Sequence, residues 1–187
     1  WFHGMGGFNN FSKNVFPQVK FLIDSNKSFT WVEPELPWSH YERKIENRNV
    51  WSEKESLVKV LNAALSKSPK ISSSKEIRVI VAGHSRGGKA IARAAKSGDL
   101  CKVNPSWVIW SDATYGDWLK TTWLTCLRTQ KISTEVWFLK NTSTAEGVSR
   151  LLKILGDKTI ILKPLSSPWY HGKIGEKVLT MSEALSD

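Results

Sequence analysis

Short apolar runs alternate with longer amphipathic stretches along this chain, and turn residues separate them. That alternation limits the possible folds more than any other feature. The runs at 1–3, 29–33, 77–82, 107–111, 135–139 and 159–163 have the length and apolar content of strands. The stretches around 15–25, 52–67, 86–97, 117–128, 144–155 and 173–185 carry helical patterns. The second of these opens with Ser52 and Glu55 in the spacing of a capping box and has an apolar stripe at Leu57, Leu61, Ala64 and Leu65. Strands separated by helices reach one another through crossovers, so the expected fold is α/β. It should have three layers: a doubly wound, mostly parallel sheet of about six strands with helices on both faces. At 187 residues the chain reads as one domain, 1–187, without internal repeats. Sites in such sheets lie beyond the carboxyl ends of the strands.

The run at 77–82 leads into "GHSRGGKA", Gly83 to Ala90, and this stretch has two incompatible readings. As G-x-S-x-G between a strand and a helix it is a nucleophile elbow with Ser85 as the attacking hydroxyl. As G-x-x-x-x-G-K it approaches a phosphate-cradling loop, with Gly83, Gly88 and Lys89 in register. The second match breaks at Ala90, because a methyl group stands where a Ser or Thr hydroxyl has to ligand a magnesium ion.

Lys and Arg number 27 against 17 Asp and Glu, a formal net charge of +10 spread along the chain. A field of that sign favours anionic partners, such as a charged substrate, an envelope polymer or an acidic membrane surface. Net charge alone is a thin basis for nucleic-acid binding, and none is expected. No run approaches the ~18 apolar residues of a membrane span. A chain that opens on Trp1 rather than Met is expected to have lost an upstream segment. That leaves secreted, periplasmic and cytoplasmic settings open. Cys101 and Cys126 have no metal-binding or redox spacing, and read equally as a disulfide or as two buried small residues. The ten tryptophans are mostly core, with one or two free to line a groove.

Acyl transfer by a serine needs a base, an acid to orient the base, and main-chain donors for the oxyanion. The first run ends in His3-Gly4-Met5-Gly6-Gly7, and the last is followed by "LSSPWYHGKIG" with His171. With the elbow between them, the chain resembles the α/β-hydrolase family in a minimal lipase- or esterase-like form. The resemblance implies oxyanion donors from the main-chain N–H groups of Met5 and Arg86, and His171 as the base.

It leaves the acid between two carboxylates. Asp112 follows the run at 107–111, where it resembles the arrangement in pancreatic-type lipases. Glu146, in "NTSTAEG", stands where small bacterial lipases carry theirs. Ser143 and Glu146 also make an S-x-x-E capping box, and an Asp at a strand end often caps a turn. Asp112 is the favoured acid and Glu146 the alternative. The expected function is a serine hydrolase of carboxylic esters acting on a small or polymer-borne acyl substrate, with no metal or organic cofactor. The same residues serve an amidase or peptidase, and the scaffold also serves non-catalytic binding modules.

Overall fold

The computed structural model describes residues 1–4, 15–25, 30–34, 55–67, 77–155 and 160–186. Four strands form one sheet: β1 (Ile80–His84), β2 (Trp107–Ser111), β3 (Ser133–Leu139) and β4 (Ile160–Leu165). They lie side by side in chain order, and every neighbouring pair is parallel. The α/β class expected from the alternation is therefore present, with four strands among the described residues in place of about six.

The two missing strands have identifiable reasons. Phe2 does meet β1 in parallel, through Phe2 N–H to the Ala82 carbonyl at 2.8 Å and His84 N–H to the Phe2 carbonyl at 2.9 Å. Only one bridge forms, Phe2 with Gly83. The run at 29–33 forms no ladder over its described residues, 30–33. Instead, Trp31 stacks on Trp1 at 5.6 Å between ring centroids, and the Val32 carbonyl accepts a hydrogen bond from the chain's ammonium.

Side-chain alternation along the strands divides the core in two. Val81, Val108, Trp110 and Val136 face one side, where they pack with Ile91, Leu100, Leu119 and Leu151. Ala82, Ile109 and Trp137 face the other, against Ile174 and Val178. Successive strand residues point to opposite faces, so a fully apolar run is what a strand covered on both sides requires. The first face is covered by α2 (Ser56–Lys67), α3 (Gly87–Lys96), α4 (Asp99–Val103), α5 (Trp118–Thr122) and α6 (Ser143–Leu152). On the second lie α7 (Ile174–Met181) and, packed against it, α1 (Phe16–Asp24).

Two local features go beyond the sequence reading. The stretch at 117–128 is helical but widens after α5 into a π-helical turn, Trp123–Leu127, which turns Trp123, Cys126 and Leu127 into the core. Ser52 of the expected capping box lies outside the described residues, and the start of α2 is held from a distance. Asp99, buried in α4, accepts hydrogen bonds from the N–H groups of Glu55 at 2.6 Å and Leu57 at 3.2 Å. Its carboxylate thus satisfies donors that a helix start leaves open.

Cys101 and Cys126 form a disulfide that ties α4 to the π-helical turn. A buried carboxylate in β3 plays a similar tying role. Glu135 accepts from Trp137 Nε1 at 2.8 Å and from Ala184 N–H at 3.1 Å, fastening the last turn, Glu183–Leu185, under the sheet. No described helix is long and apolar enough to cross a membrane.

Candidate active site

The carboxyl ends of β1 and β2, joined in register at His84 and Ser111, bring Ser85 and Asp112 beside each other. Both residues leave their strands with positive φ, 52° at Ser85 and 46° at Asp112. For residues with a Cβ this left-handed region is costly, and such strain collects at functional turns. At Ser85 the cause is the abruptness of the turn. His84 is still paired in β1, and α3 begins at Gly87, so only two residues join strand to helix. A turn this short leaves no loop to wrap a phosphate, which removes the structural basis of the phosphate-loop reading.

Gly87 shows why the elbow needs its glycine. A Cβ there would lie 2.0 Å from the Phe2 carbonyl oxygen, inside backbone that cannot move aside. Gly4 makes the matching approach from the other side, where a Cβ would lie 2.7 Å from Ser85 Cβ. The His3-Gly4 segment therefore borders the serine directly. His3 is buried, and its Nδ1 lies 2.8 Å from the Gly4 carbonyl. Met5, expected to supply an oxyanion donor, lies outside the described residues. Arg86, the other expected donor, occupies the N-cap of α3, at the positive end of the helix dipole.

His171 begins a short 3-10 turn, His171–Lys173, that precedes α7. Its Nδ1 lies 2.6 Å from Asp112 Oδ2. The acid side chain is 3% exposed and the imidazole 41%, so the pair has one end in the core and the other at the surface. Burial by itself would raise the Asp112 pKa. Hydrogen bonds from His171 and Thr144, the charge of His171 and the Leu139 N–H outweigh that and hold the carboxyl below its ordinary value.

Glu146 is exposed in the first turn of α6. The helix is capped at Thr142, with Ser143 already its first residue, so the expected Ser143–Glu146 capping box is out of register. The structure brings Ser85, Asp112 and His171 to one place and leaves Glu146 at the surface.

Three residues that sequence reasoning did not single out join this site. Thr144 donates its hydroxyl to Asp112 Oδ1 at 2.5 Å, beside the Leu139 N–H at 3.2 Å. The "NTSTAEG" segment thus serves the acid through its threonine rather than its glutamate. The signal was the parallel register, which sets the end of β3 beside the end of β2.

Tyr115 meets the His171 ring edge-on at 6.3 Å. Its phenol pKa is pushed up by burial and by the Asp112 charge, with donation from the Ser85 hydroxyl acting the other way. Among the described hydrogen bonds none joins Ser85 to His171. Such contacts are often long before substrate arrives. The third residue, His84, stacks on His171 at 4.6 Å between ring centroids.

Among the described residues no group of three or more His, Cys, Asp or Glu could hold a metal ion. Comparison with known proteins finds no matching family model, and no curated protein or solved structure similar to this chain.

Proposed function

We propose that this chain is a serine hydrolase that cleaves carboxylic esters, on a compact scaffold of the α/β-hydrolase kind. The observation that carries the reading is the 2.6 Å contact between His171 Nδ1 and Asp112 Oδ2 beside a serine held in a strained turn at a strand end. A carboxylate on Nδ1 keeps the proton on that nitrogen and leaves Nε2 free as a base.

In the reaction, Ser85 gives its proton to His171 Nε2 as Oγ attacks the acyl carbon. Main-chain N–H groups of Arg86 and Met5 receive the oxyanion. His171 then returns the proton to the departing alcohol, leaving an acyl-serine. Water, deprotonated by the same nitrogen, releases the carboxylic acid and restores Ser85. The base chemistry needs only side chains of this chain. The excess of basic residues suits an acyl compound or surface of negative charge.

The test is labelling with an alkyl fluorophosphonate, read by intact mass, on the native protein and on Ser85→Ala and His171→Ala. One adduct on the native protein, lost in both variants, is the expected result. A folded native protein that takes no label and cleaves no p-nitrophenyl ester overturns the reading.

A further inference from the structure

The residue before the serine in an elbow has no required chemistry, yet His84 is built into this site from three sides. Its Nδ1 lies 2.9 Å from the Ser111 carbonyl and 3.3 Å from the Ser111 hydroxyl, at the end of the neighbouring strand. A carbonyl accepts only from an N–H, so Nδ1 carries the proton and the ring is anchored to β2. On a second side the ring closes over Gly4, where a Cβ would meet its Cδ2 at 3.4 Å. On the third, its face lies against His171, with centroids 4.6 Å apart and planes 29° from parallel.

The groups that meet this pair of rings are Asp112 on Nδ1 of His171, Tyr115 at its edge and Ser111 beneath His84. Burial, and next the charge of His171, push the His84 pKa down to about 4. Near neutral pH it is an uncharged aromatic plate.

His171 needs such a plate. It arrives on a 3-10 turn and is 41% exposed, and Asp112 fixes only one of its atoms. One hydrogen bond leaves the ring free to swing about the Nδ1–Oδ2 line, and Nε2 meets the serine in only one of those orientations. A flat surface on one side removes that freedom. When His171 takes the serine proton, the resulting cation also rests on a neutral aromatic face, a favourable contact.

Building on the serine-hydrolase reading, we propose that His84 is a positioning residue. Anchored through Nδ1–H to Ser111, its ring fixes the plane of the His171 imidazole against Ser85 and backs the imidazolium formed during proton transfer.

The test compares the native protein with His84→Ala, His84→Leu and His84→Phe, all checked for folding by circular dichroism. Readouts are the rate of inactivation by an alkyl fluorophosphonate and the kcat and KM for p-nitrophenyl butyrate. Because misplacing a reacting group by about an ångström costs around 100-fold, Ala and Leu should lower kcat about 10- to 100-fold while KM stays within about twofold. Phe, which keeps the stack without the anchor, should stay within about fivefold of native.

If the native protein neither labels nor turns over, the hydrolase reading fails and this inference with it. If it is active and His84→Ala matches it, or His84→Leu matches His84→Phe, the positioning role is overturned and the hydrolase reading stands. Proton NMR of the unsubstituted protein decides the matter even if the variants do not fold. The carbon-bound ring protons of His171, assigned by their loss in His171→Asn, should lie upfield of their unfolded positions. Unshifted resonances overturn the stack.

Discussion

Asp112 and His171 are 59 residues apart in sequence and 2.6 Å apart in space, the acid buried and the imidazole open on its far side. This pairing separates the two carboxylates that the sequence offered as partners for His171. Asp112→Asn keeps the shape but loses the charge and favours the wrong tautomer. It should cut kcat for an activated ester by roughly 10³- to 10⁴-fold, as the loss of a triad acid does elsewhere. Glu146→Gln, exposed in the first turn of α6, should stay within about twofold, since surface changes of this kind are near neutral. Steady-state kinetics on the two variants checks this, and the opposite ranking would move the acid to Glu146.

Thr144 should affect both stability and its acid limit. Thr144→Val removes a hydrogen bond to a buried carboxylate, a loss of about 1.5–3 kcal/mol. Asp112 titrates below its ordinary 3.8 in the folded protein. Its stabilising contribution is therefore complete above that ordinary value and is lost as the pH falls through the folded one. Without the Thr144 hydroxyl the folded value rises, so acid unfolding should begin at a higher pH. Denaturant midpoints measured through the acid range, in native protein and variant, test both statements. Parallel curves would sink the second.

His84 carries a pH signature distinct from its role beside His171. Burial, and next the charge of His171, lower its pKa from 6.5 to about 4. As pH falls, the unfolded chain takes up this proton near 6.5 and the folded chain only near 4. The contribution from keeping the ring neutral is thus complete above 6.5 and is lost between 6.5 and about 4. The difference amounts to roughly 3 kcal/mol. His84→Phe cannot titrate and should lose less stability than native protein across that window. An identical pH dependence of the two unfolding free energies would count against a neutral His84.

Two glycines should fail in different ways. Gly87→Ala drives a methyl into the Phe2 carbonyl and should destabilise the fold by about 1–3 kcal/mol or more, seen as a lower melting temperature. Gly4→Ala brings its methyl to 2.7 Å from Ser85 Cβ instead, a shallower overlap that displaces the serine itself. It should leave melting closer to native while slowing fluorophosphonate labelling at least about tenfold. Equal loss of stability in the two variants would contradict the contacts assigned to them.

The disulfide Cys101–Cys126 closes a sequence separation of 25 residues. Loop-closure entropy predicts about 3 kcal/mol of stabilisation for a loop of that size. Reduction should therefore lower the denaturant midpoint clearly while leaving labelling of Ser85 intact, because the bond joins α4 to the π-helical turn among the helices of the first face, away from the strand ends that carry Ser85. Unchanged stability on reduction would show that the two sulfurs contribute by packing alone.

Much of the architecture was legible in the residues because it rests on local periodicity. Apolar runs with alternating sides became β1 to β4, and β2 formed over 107–111 as read. The abrupt strand-to-helix turn at Ser85 was readable too, since Gly83 and Gly87 answer to contacts within a few residues or with the bridged Phe2. Where strands end their ladders was not readable. Thr30 and Trp31 have strand-like composition, but packing of Trp31 on Trp1 took the place of pairing. The S-x-x-E spacing of Ser143 and Glu146 looked like a capping box, yet α6 caps one residue earlier, at Thr142, and the bonds from Asp99 to the start of α2 come from across the fold.

The site divides the same way. Sequence alone determined which side chains were chemically able to act, Ser85, His171 and two competing carboxylates. Only tertiary structure brought particular ones together, because the parallel register of β2 with β3 and the turn before α7 set Asp112, Thr144 and His171 side by side from segments with no local relation. The stack of His84 on His171 belongs wholly to that second level, since no pattern in a linear chain encodes which two rings will lie face to face.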